Sequence, residues 1–509
     1  MSLRQRLILN AGSIWASTAV VGVVGLILVP IMLRRIGDDA YGIWALVASV
    51  LSYVTILDAA FSLAVNRFVA YYRSDVEQMN RFVSASFLVL GGLAVLTAVG
   101  AAGVSLVITR IFPIIPPELA RDARLTCMLV GLTLSCRMLE SNFRGALQGY
   151  EYYTWSNIVN MLANVARLIF TIVLLQVWRS MVAVQLAFLG AAAVSAVLMF
   201  IHARRKIAGF RIDLRRVDRS AIRELFRYTS HSIVRSGSHI AMYSTMTLLV
   251  GWLGTAADVA LYNIASTIPS FVRGIVAGAH QVFLPSASRL FAEGQVDRIR
   301  SLVKKGTMLS TALTLGMLIP LFVFTEPILH AWLRRSISGE MVVVTRTLIF
   351  SVVPTGAFDL WLPVLVGMGF LWGLTVRAVA TAALAVVVEV ILLQGLVAPA
   401  LAPAVALVVA LSVGSGLWLP SYGMARLGIR VSEYFRQSLL TPLAAGMASA
   451  AGVGALTLVI PRQAVPWWLC FGLSIVVVAV AFAAIALRVE LAGVLAAVRR
   501  HRADARLRS

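Results

Sequence analysis

Apolar runs of about twenty residues recur along this chain, and each is long enough to cross a bilayer as a helix. They fall at 8–33, 42–65, 82–108, 125–147, 155–177, 181–203, 229–253, 262–286, 307–329, 341–366, 377–398, 402–424, 438–460 and 466–488 of 509 residues. In hydrocarbon a backbone finds no water to bond. A spanning segment must therefore close its hydrogen bonds within a helix or around a barrel. The runs show no period-two alternation, which argues against strands. The composition agrees, with 60% hydrophobic and 13% charged residues, against about 25% charged in soluble domains. The expected fold is an all-α membrane protein of about fourteen transmembrane helices.

The net charge is +22, from 44 Lys and Arg against 22 Asp and Glu. In a soluble chain that excess points to nucleic acid. Here the basic clusters lie between apolar runs, where cytoplasmic loops collect Lys and Arg, so no nucleic-acid partner is expected. The segments 67–81, 204–227, 289–305, 426–436 and 499–508 share one side and hold most of the basic residues. With an even number of spans, both termini are expected in the cytoplasm. The segment 204–227 is expected to anchor the topology on anionic headgroups. Arg4 and Arg6 precede an apolar stretch longer than a signal-peptide core and without an A-x-A site, which reads as a retained first helix. Cys127, Cys136 and Cys470 all lie inside apolar runs. Their odd number and placement argue against a disulfide framework or a zinc site.

A weak internal repeat divides the chain. Ser13-Ile14-Trp15-Ala16-Ser17 opens the first run and Ser232-Ile233-Val234-Arg235-Ser236 the seventh. The first leads to Ile36-Gly37-Asp38-Asp39-Ala40-Tyr41, the seventh to Leu253-Gly254, Asp258 and Ala260-Leu261-Tyr262. The expected organisation is an N-terminal lobe at 1–203, a basic linker at 204–228 and a C-terminal lobe at 229–424. Two further helices at 425–488 and a basic tail at 489–509 complete it. Transporters place their substrate path between two such repeats.

Ionisable residues at membrane depth cost about 2.5–3.5 kcal/mol each, so they turn to a bundle interior or a wet cavity. Arg137, Glu140 and Arg144 share one face of the fourth run. Asn157, Asn160, Asn164 and Arg167 stripe the fifth. Ser232, Arg235 and His239 line the seventh, and Asn263, Ser266, Ser270 and Arg273 the eighth, with His280 two turns on. The second run carries Asp58, Asn66 and, at its end, Arg67. Two structural alternatives stand beside a binding role: an internal ion-pair ladder for the fourth run and helix–helix hydrogen bonding for the fifth. Asp58 suits either burial against an Arg or an ion site. The excess of Arg (Arg137, Arg144, Arg167, Arg235, Arg273) suits phosphate, which a guanidinium grips bidentately. The Asn and Ser stripes suit sugar hydroxyls. A diphosphate-linked sugar combines both.

With these features the chain resembles the polysaccharide transporter, O-antigen flippase-like branch of the multidrug/oligosaccharidyl-lipid/polysaccharide exporter superfamily. The resemblance is carried by Asn10, Ala11 and Ser17, then by Leu33-Arg34-Arg35-Ile36-Gly37 and Ala40-Tyr41-Gly42-Ile43-Trp44-Ala45-Leu46. Asp58 with Asn66-Arg67, Arg144-Gly145-Ala146-Leu147-Gln148-Gly149, Tyr152, Asn157 and Ala260-Leu261-Tyr262-Asn263-Ile264-Ala265 continue it. The resemblance implies two six-helix lobes in a V, alternating access, two extra C-terminal helices and a cationic lumen. It also implies coupling to a proton or sodium gradient or to the membrane potential, with no bound cofactor.

The substrate this implies is an undecaprenyl-diphosphate-linked oligosaccharide: an O-antigen, exopolysaccharide or capsule repeat unit. The expected partners are that lipid-linked oligosaccharide, membrane lipids, and a polysaccharide polymerase with its chain-length machinery. The candidate lumen residues are Arg137, Arg144, Arg167, Arg235, Arg273, Asn157, Asn160, Asn164, Asn263 and Ser270. Asp58, Glu140, Arg67 and His239 are candidates for coupling or gating. A lipid II flippase and a multidrug/cation antiporter using Asp58 or Glu140 are the alternatives. An enzyme is not expected: there is no nucleotide-binding Gly-rich loop, metal-spaced cluster or nucleophile–base pair.

Overall fold

Helix is the only regular secondary structure among the described residues. The computed structural model describes residues 3–459, 466–480 and 482–483, with the side chains of 3–11, 216, 230–232, 234–236, 239 and 456–459 outside the description. Ten helices, from Gly12–Ile36 to Val431–Ala455, are long and apolar enough to span a bilayer, and the pair Asp38–Ser52 and Thr55–Tyr71 forms one more, bent by 48°. Two helices interrupted by charge, Ala120–Gly149 and Arg219–Leu253, run 30 and 35 residues. Among the described residues Ile240–Leu253 of the second is apolar, as is Trp467–Val480. The expected count of fourteen and the ten clear spans differ chiefly at these elements: charged and polar residues lower the apolarity of the first two, and the expected run 466–488 lies partly outside the described residues.

Contacts group the described residues up to Phe271 with Trp372–Ala410, and Val272–Leu371 with those from Leu411 on. This is a grouping by contact. The lobes at 1–203 and 229–424 are a grouping by repeat, and they remain an expectation.

In the first unit the starts of three long helices are capped by short polar side chains, which satisfy amides that a first turn leaves open. Asp75 accepts from the Gln78 amide, Ser180 from Val182 and Asp218 from Ala221. The two turns singled out as a repeat do break their helices at glycine. Gly37, at φ 84°, starts Asp38–Ser52, and Gly254 ends Arg219–Leu253. After Gly254, Thr255 Oγ1 accepts from the Asp258 amide at 3.2 Å while Asp258 Oδ2 accepts from the Thr255 amide at 2.8 Å, a reciprocal cap. The two turns pack on each other: a Cβ at Gly42 would overlap the Ala256 carbonyl, and Tyr41 and Tyr262 are both buried. Ser52 Oγ donates to Ser244 Oγ at 2.6 Å and Tyr53 OH pairs with Thr245 Oγ1 at 2.8 Å, tying the bend to Arg219–Leu253.

The basic segment expected on headgroups is only partly loop, since helix resumes at Arg219. Its loop folds back onto the start of Val76–Ile111. Asn80 Nδ2 donates to the Gly209 carbonyl at 2.7 Å, Asn80 Oδ1 accepts from the Arg211 amide at 3.0 Å, and Ser84 Oγ accepts from the Asp213 amide at 2.9 Å. Ile207 and Phe210 are buried there.

The second unit is organised around Trp361, which is fully buried. Its indole N–H donates to Tyr434 OH at 2.9 Å, and that hydroxyl shares a 2.7 Å bond with Thr307 Oγ1. A buried indole needs such a partner. Gly423 lies against the ring, where a Cβ has no room.

Candidate functional site

The site is built on three helices of the first unit: Thr55–Tyr71, Ala120–Gly149 and Tyr153–Val177. Two glycines set the first crossing. A Cβ at Gly145 would sit 2.6 Å from the Ser62 carbonyl, and one at Gly149 would sit 2.7 Å from Val69 Cβ. Small residues four apart let helix backbones approach closely in a membrane. That approach brings Arg144, the neighbour of Gly145, to Asp58.

Arg144 Nη2 lies 3.5 Å from Asp58 Oδ1, and Nη1 lies 3.6 Å from Glu140 Oε1. The side chains of Arg144, Asp58 and Glu140 are 26%, 13% and 7% exposed. One guanidinium thus bridges two carboxylates. For Arg144 this is the ion-pair arrangement named as the structural alternative, and for Asp58 it is burial against an Arg.

The rest of the expected ladder does not form. Arg137 is exposed and has no carboxylate partner among the described residues. Arg137 instead acts on Arg167 as a like charge. Arg167 stacks its guanidinium over the Phe188 ring at 4.9 Å, and its Nε is buried without a hydrogen-bond partner. Among the described residues Arg167 also has no carboxylate. Two cations therefore stand on Ala120–Gly149 and Tyr153–Val177 with no paired carboxylate among the described residues.

The Asn stripe is largely spent on packing. Asn157 Nδ2 donates to Ser13 Oγ and Asn160 Nδ2 to Ser17 Oγ, each at 2.9 Å, joining Tyr153–Val177 to Leu3–Ile36. Asn164 Nδ2 donates to the Asn160 carbonyl at 2.8 Å. Asn263 Nδ2 likewise bonds within its own helix, to the Val259 carbonyl at 2.8 Å, while Ser270 is exposed. Arg67 lies 4.4 Å over the Tyr228 ring. The side chains of Arg235 and His239 lie outside the described residues.

Arg273 belongs to the second unit. It lines a cavity of about 30 Å³ with His280, Thr355 and Asp359, large enough for a water or two. His280 Nε2 pairs with Ser310 Oγ, which donates to the Gly356 carbonyl. Asp359 lies within electrostatic reach of Ser415 and of the oppositely charged Arg273. No group of three His, Cys, Asp or Glu side chains gathers to hold a metal among the described residues.

Glu389 is not among the sequence-derived candidates. It is 0% exposed, and neither carboxyl oxygen has a hydrogen-bond partner among the described residues. Its only signal is an acid in the middle of an apolar run.

The fold matches solved membrane transporters. It is similar to a lipid II flippase MurJ in an inward closed conformation, with a TM-score of 0.74, 13% identity, and 94% of this chain and 99% of that chain covered. It is also similar to an inward-facing multidrug resistance MATE family transporter of the MOP superfamily, with a TM-score of 0.64, 16% identity, and 84% and 95% covered. In sequence it is 25% identical over 319 residues to the uncharacterized membrane protein EpsK of Bacillus subtilis (strain 168), covering 61% of this chain and 62% of that protein's length. The chain is thus a multi-pass membrane protein with the fold of a flippase-like transporter. Residues 8–291, more than half of the sequence, match the family described as polysaccharide biosynthesis protein, and the chain belongs to that family.

Proposed function

We propose that this chain moves an undecaprenyl-diphosphate-linked oligosaccharide from the cytoplasmic to the periplasmic leaflet of a bacterial inner membrane. Both termini lie in the cytoplasm, and transport runs by alternating access between lobes at 1–203 and 229–424. The observation that carries this reading is the pair Arg137 and Arg167. Two guanidinium groups without a carboxylate among the described residues, one with a buried unpartnered Nε, suit a dianion. Arg235 and Arg273 are assigned to the same path from the C-terminal lobe. Asn157, Asn160, Asn164, Asn263 and Ser270 supply polar wall, mainly by holding helices in register.

The driving force follows from charge. A membrane potential of 100 mV is worth about 2.3 kcal/mol per elementary charge. An inside-negative potential therefore favours outward passage of a diphosphate by about twice that. Coupling to the potential needs no ion site, and Arg144 already holds Asp58 and Glu140, which disfavours proton or sodium exchange there. Arg67 and His239 are assigned to gating. The product would be taken up by a polymerase and its chain-length machinery.

A cation antiporter is disfavoured, because Arg144 already occupies both Asp58 and Glu140. A lipid II flippase shares the fold, and its substrate shares the diphosphate.

The test is complementation of a strain lacking the gene. Arg137→Ala, Arg167→Ala and Arg273→Ala are each expected to cut surface polysaccharide while membrane abundance, read by immunoblot, stays at the wild-type level. Arg167→Lys is expected to fall between, since it keeps charge but loses the fork. Full polysaccharide in all three alanine variants removes the proposed anion path. Rescue of a lipid II export defect instead reassigns the substrate.

A further inference from the structure

The helix Val296–Val323 begins with a charged face that the transport reading does not use. Arg300, Ser301, Lys304 and Lys305 share that face. Opposite them stand Gly428 and, from the start of the helical segment Val431–Ala455, Glu433, Arg436 and Gln437. Together they bound a cavity of about 570 Å³, within the roughly 300–1,000 Å³ range of small-molecule sites. All of these residues belong to the second unit.

The charges do not balance. Four cations (Arg300, Lys304, Lys305 and Arg436) face two carboxylates, Asp297 and Glu433. Both carboxylates are engaged: Asp297 Oδ1 by Arg300 Nη1 at 2.8 Å, and Glu433 by Lys304 Nζ. Arg300 Nε also donates to the Leu427 carbonyl at 2.7 Å, which fixes its position. Lys305 and Arg436 have neither a carboxylate nor a hydrogen-bond partner among the described residues, and both are exposed. Two cations thus remain available at the rim of a preformed hollow.

The backbone keeps the hollow open. Gly428 takes φ 62° and closes Leu419–Leu427, and a Cβ there would press to 3.2 Å on Arg300 Nη2. The wall at Phe435–Leu439 is a single π-helical turn, a widening that recurs at functional sites. Beside the hollow the surface turns apolar: Val431, Phe435 and Leu440 are exposed, as is Leu309 just past Lys305. A basic hollow at the edge of an apolar surface is the setting in which a lipid headgroup, rather than a soluble anion, is held.

We infer that this cavity binds the phosphate headgroup of an anionic phospholipid, with its acyl chains against the apolar surface that Phe435 and Leu440 begin. Lys305 and Arg436 take the phosphate charge. Arg300 and Lys304, held by their carboxylates, form the floor. The site is independent of which substrate is transported.

The full-length protein, released from nanodiscs holding equal amounts of phosphatidylglycerol and phosphatidylcholine, would be examined by native mass spectrometry. Retention of phosphatidylglycerol over phosphatidylcholine is expected on the order of tenfold, from two cations at the membrane surface. The Lys305→Gln/Arg436→Gln protein is expected to approach parity. Ser301→Trp fills the hollow and leaves every cation in place, so it is expected to approach parity too. Arg121→Gln/Arg124→Gln, which changes exposed basic residues elsewhere, keeps the preference. Parity in the unaltered protein, or an unchanged preference in both pocket variants, overturns the inference. Displacement of phosphatidylglycerol by equimolar inorganic phosphate or farnesyl diphosphate overturns the phospholipid assignment.

Discussion

Replacing Arg144 with methionine tests the bridge between Asp58 and Glu140. The two contacts measure 3.5 and 3.6 Å. At an effective dielectric of about 20, each is worth about 4.7 kcal/mol of Coulomb attraction. Much of that is offset by the cost of taking the guanidinium and carboxylates out of water. The measured cost of removing one partner of a buried pair is about 3–5 kcal/mol, and three quarters of the Arg144 side chain is buried. Arg144→Met leaves two facing carboxylates, so it belongs at the upper end. The triple replacement Asp58→Asn/Glu140→Gln/Arg144→Met removes all three charges and is expected to recover most of that loss. The assay is thermal unfolding of the purified protein in detergent, followed by loss of the monodisperse peak on size exclusion. Melting is expected to drop by several degrees in the single variant and to return most of the way in the triple. A single variant that melts like the unaltered protein, or a triple no better than the single, would falsify the bridge as a structural element.

Three further outcomes follow from the geometry. Gly145→Val places side-chain atoms on the Ser62 carbonyl and is expected to cost about 1–3 kcal/mol or more by overpacking; a monodisperse yield equal to that of the unaltered protein contradicts the close crossing. Glu389→Leu relieves two carboxyl oxygens unpartnered among the described residues and is expected to stabilise the fold by about 1–3 kcal/mol, read as a higher melting temperature; a lower one shows that a partner holds the acid. Asp218, outside the membrane, accepts from Arg81 at 3.1 Å, from the Ala221 amide and from Ser220, and these bonds hold its carboxyl well below the usual carboxylate range. A depressed carboxylate stabilises the fold above its unfolded pKa, and that contribution is lost as pH falls through its folded value. Exchange protection of the Ala221 amide, corrected for intrinsic rates, is expected to persist through the ordinary carboxylate range and fail only below it, whereas Arg81→Gln is expected to shift that failure upward. Failure at about pH 4 in the unaltered protein refutes the assignment.

Some features of the site were legible in single helices. Arg137, Glu140 and Arg144 share a face because a helix repeats every 3.6 residues. That alone does not say which Arg is neutralised. Arg144 is, because Gly145 and Gly149 admit a helix that carries Asp58, 86 positions away. The sequence shows those two glycines four apart, but there they stand only as part of the family resemblance. The Asn stripe was equally plain, but its use as a zipper to Ser13 and Ser17 depends on a neighbour 144 and 143 positions distant.

The sequence by itself determined that this chain is helical and membrane-spanning. Long apolar runs permit only structures that satisfy their own backbone, and the absence of alternation leaves the helix. Its turn positions followed equally, because Gly37 and the Thr255–Asp258 cap act within a few residues of themselves. What only the tertiary structure decided is the state of each charge. Arg144 is bridged, Arg167 keeps a buried Nε without a bond, and Lys305 and Arg436 face a hollow whose carboxylates are already taken. Helix formation is a local matter of hydrogen bonds four residues apart. Charge neutralisation is a matter of which distant helices meet, and periodicity carries no record of that.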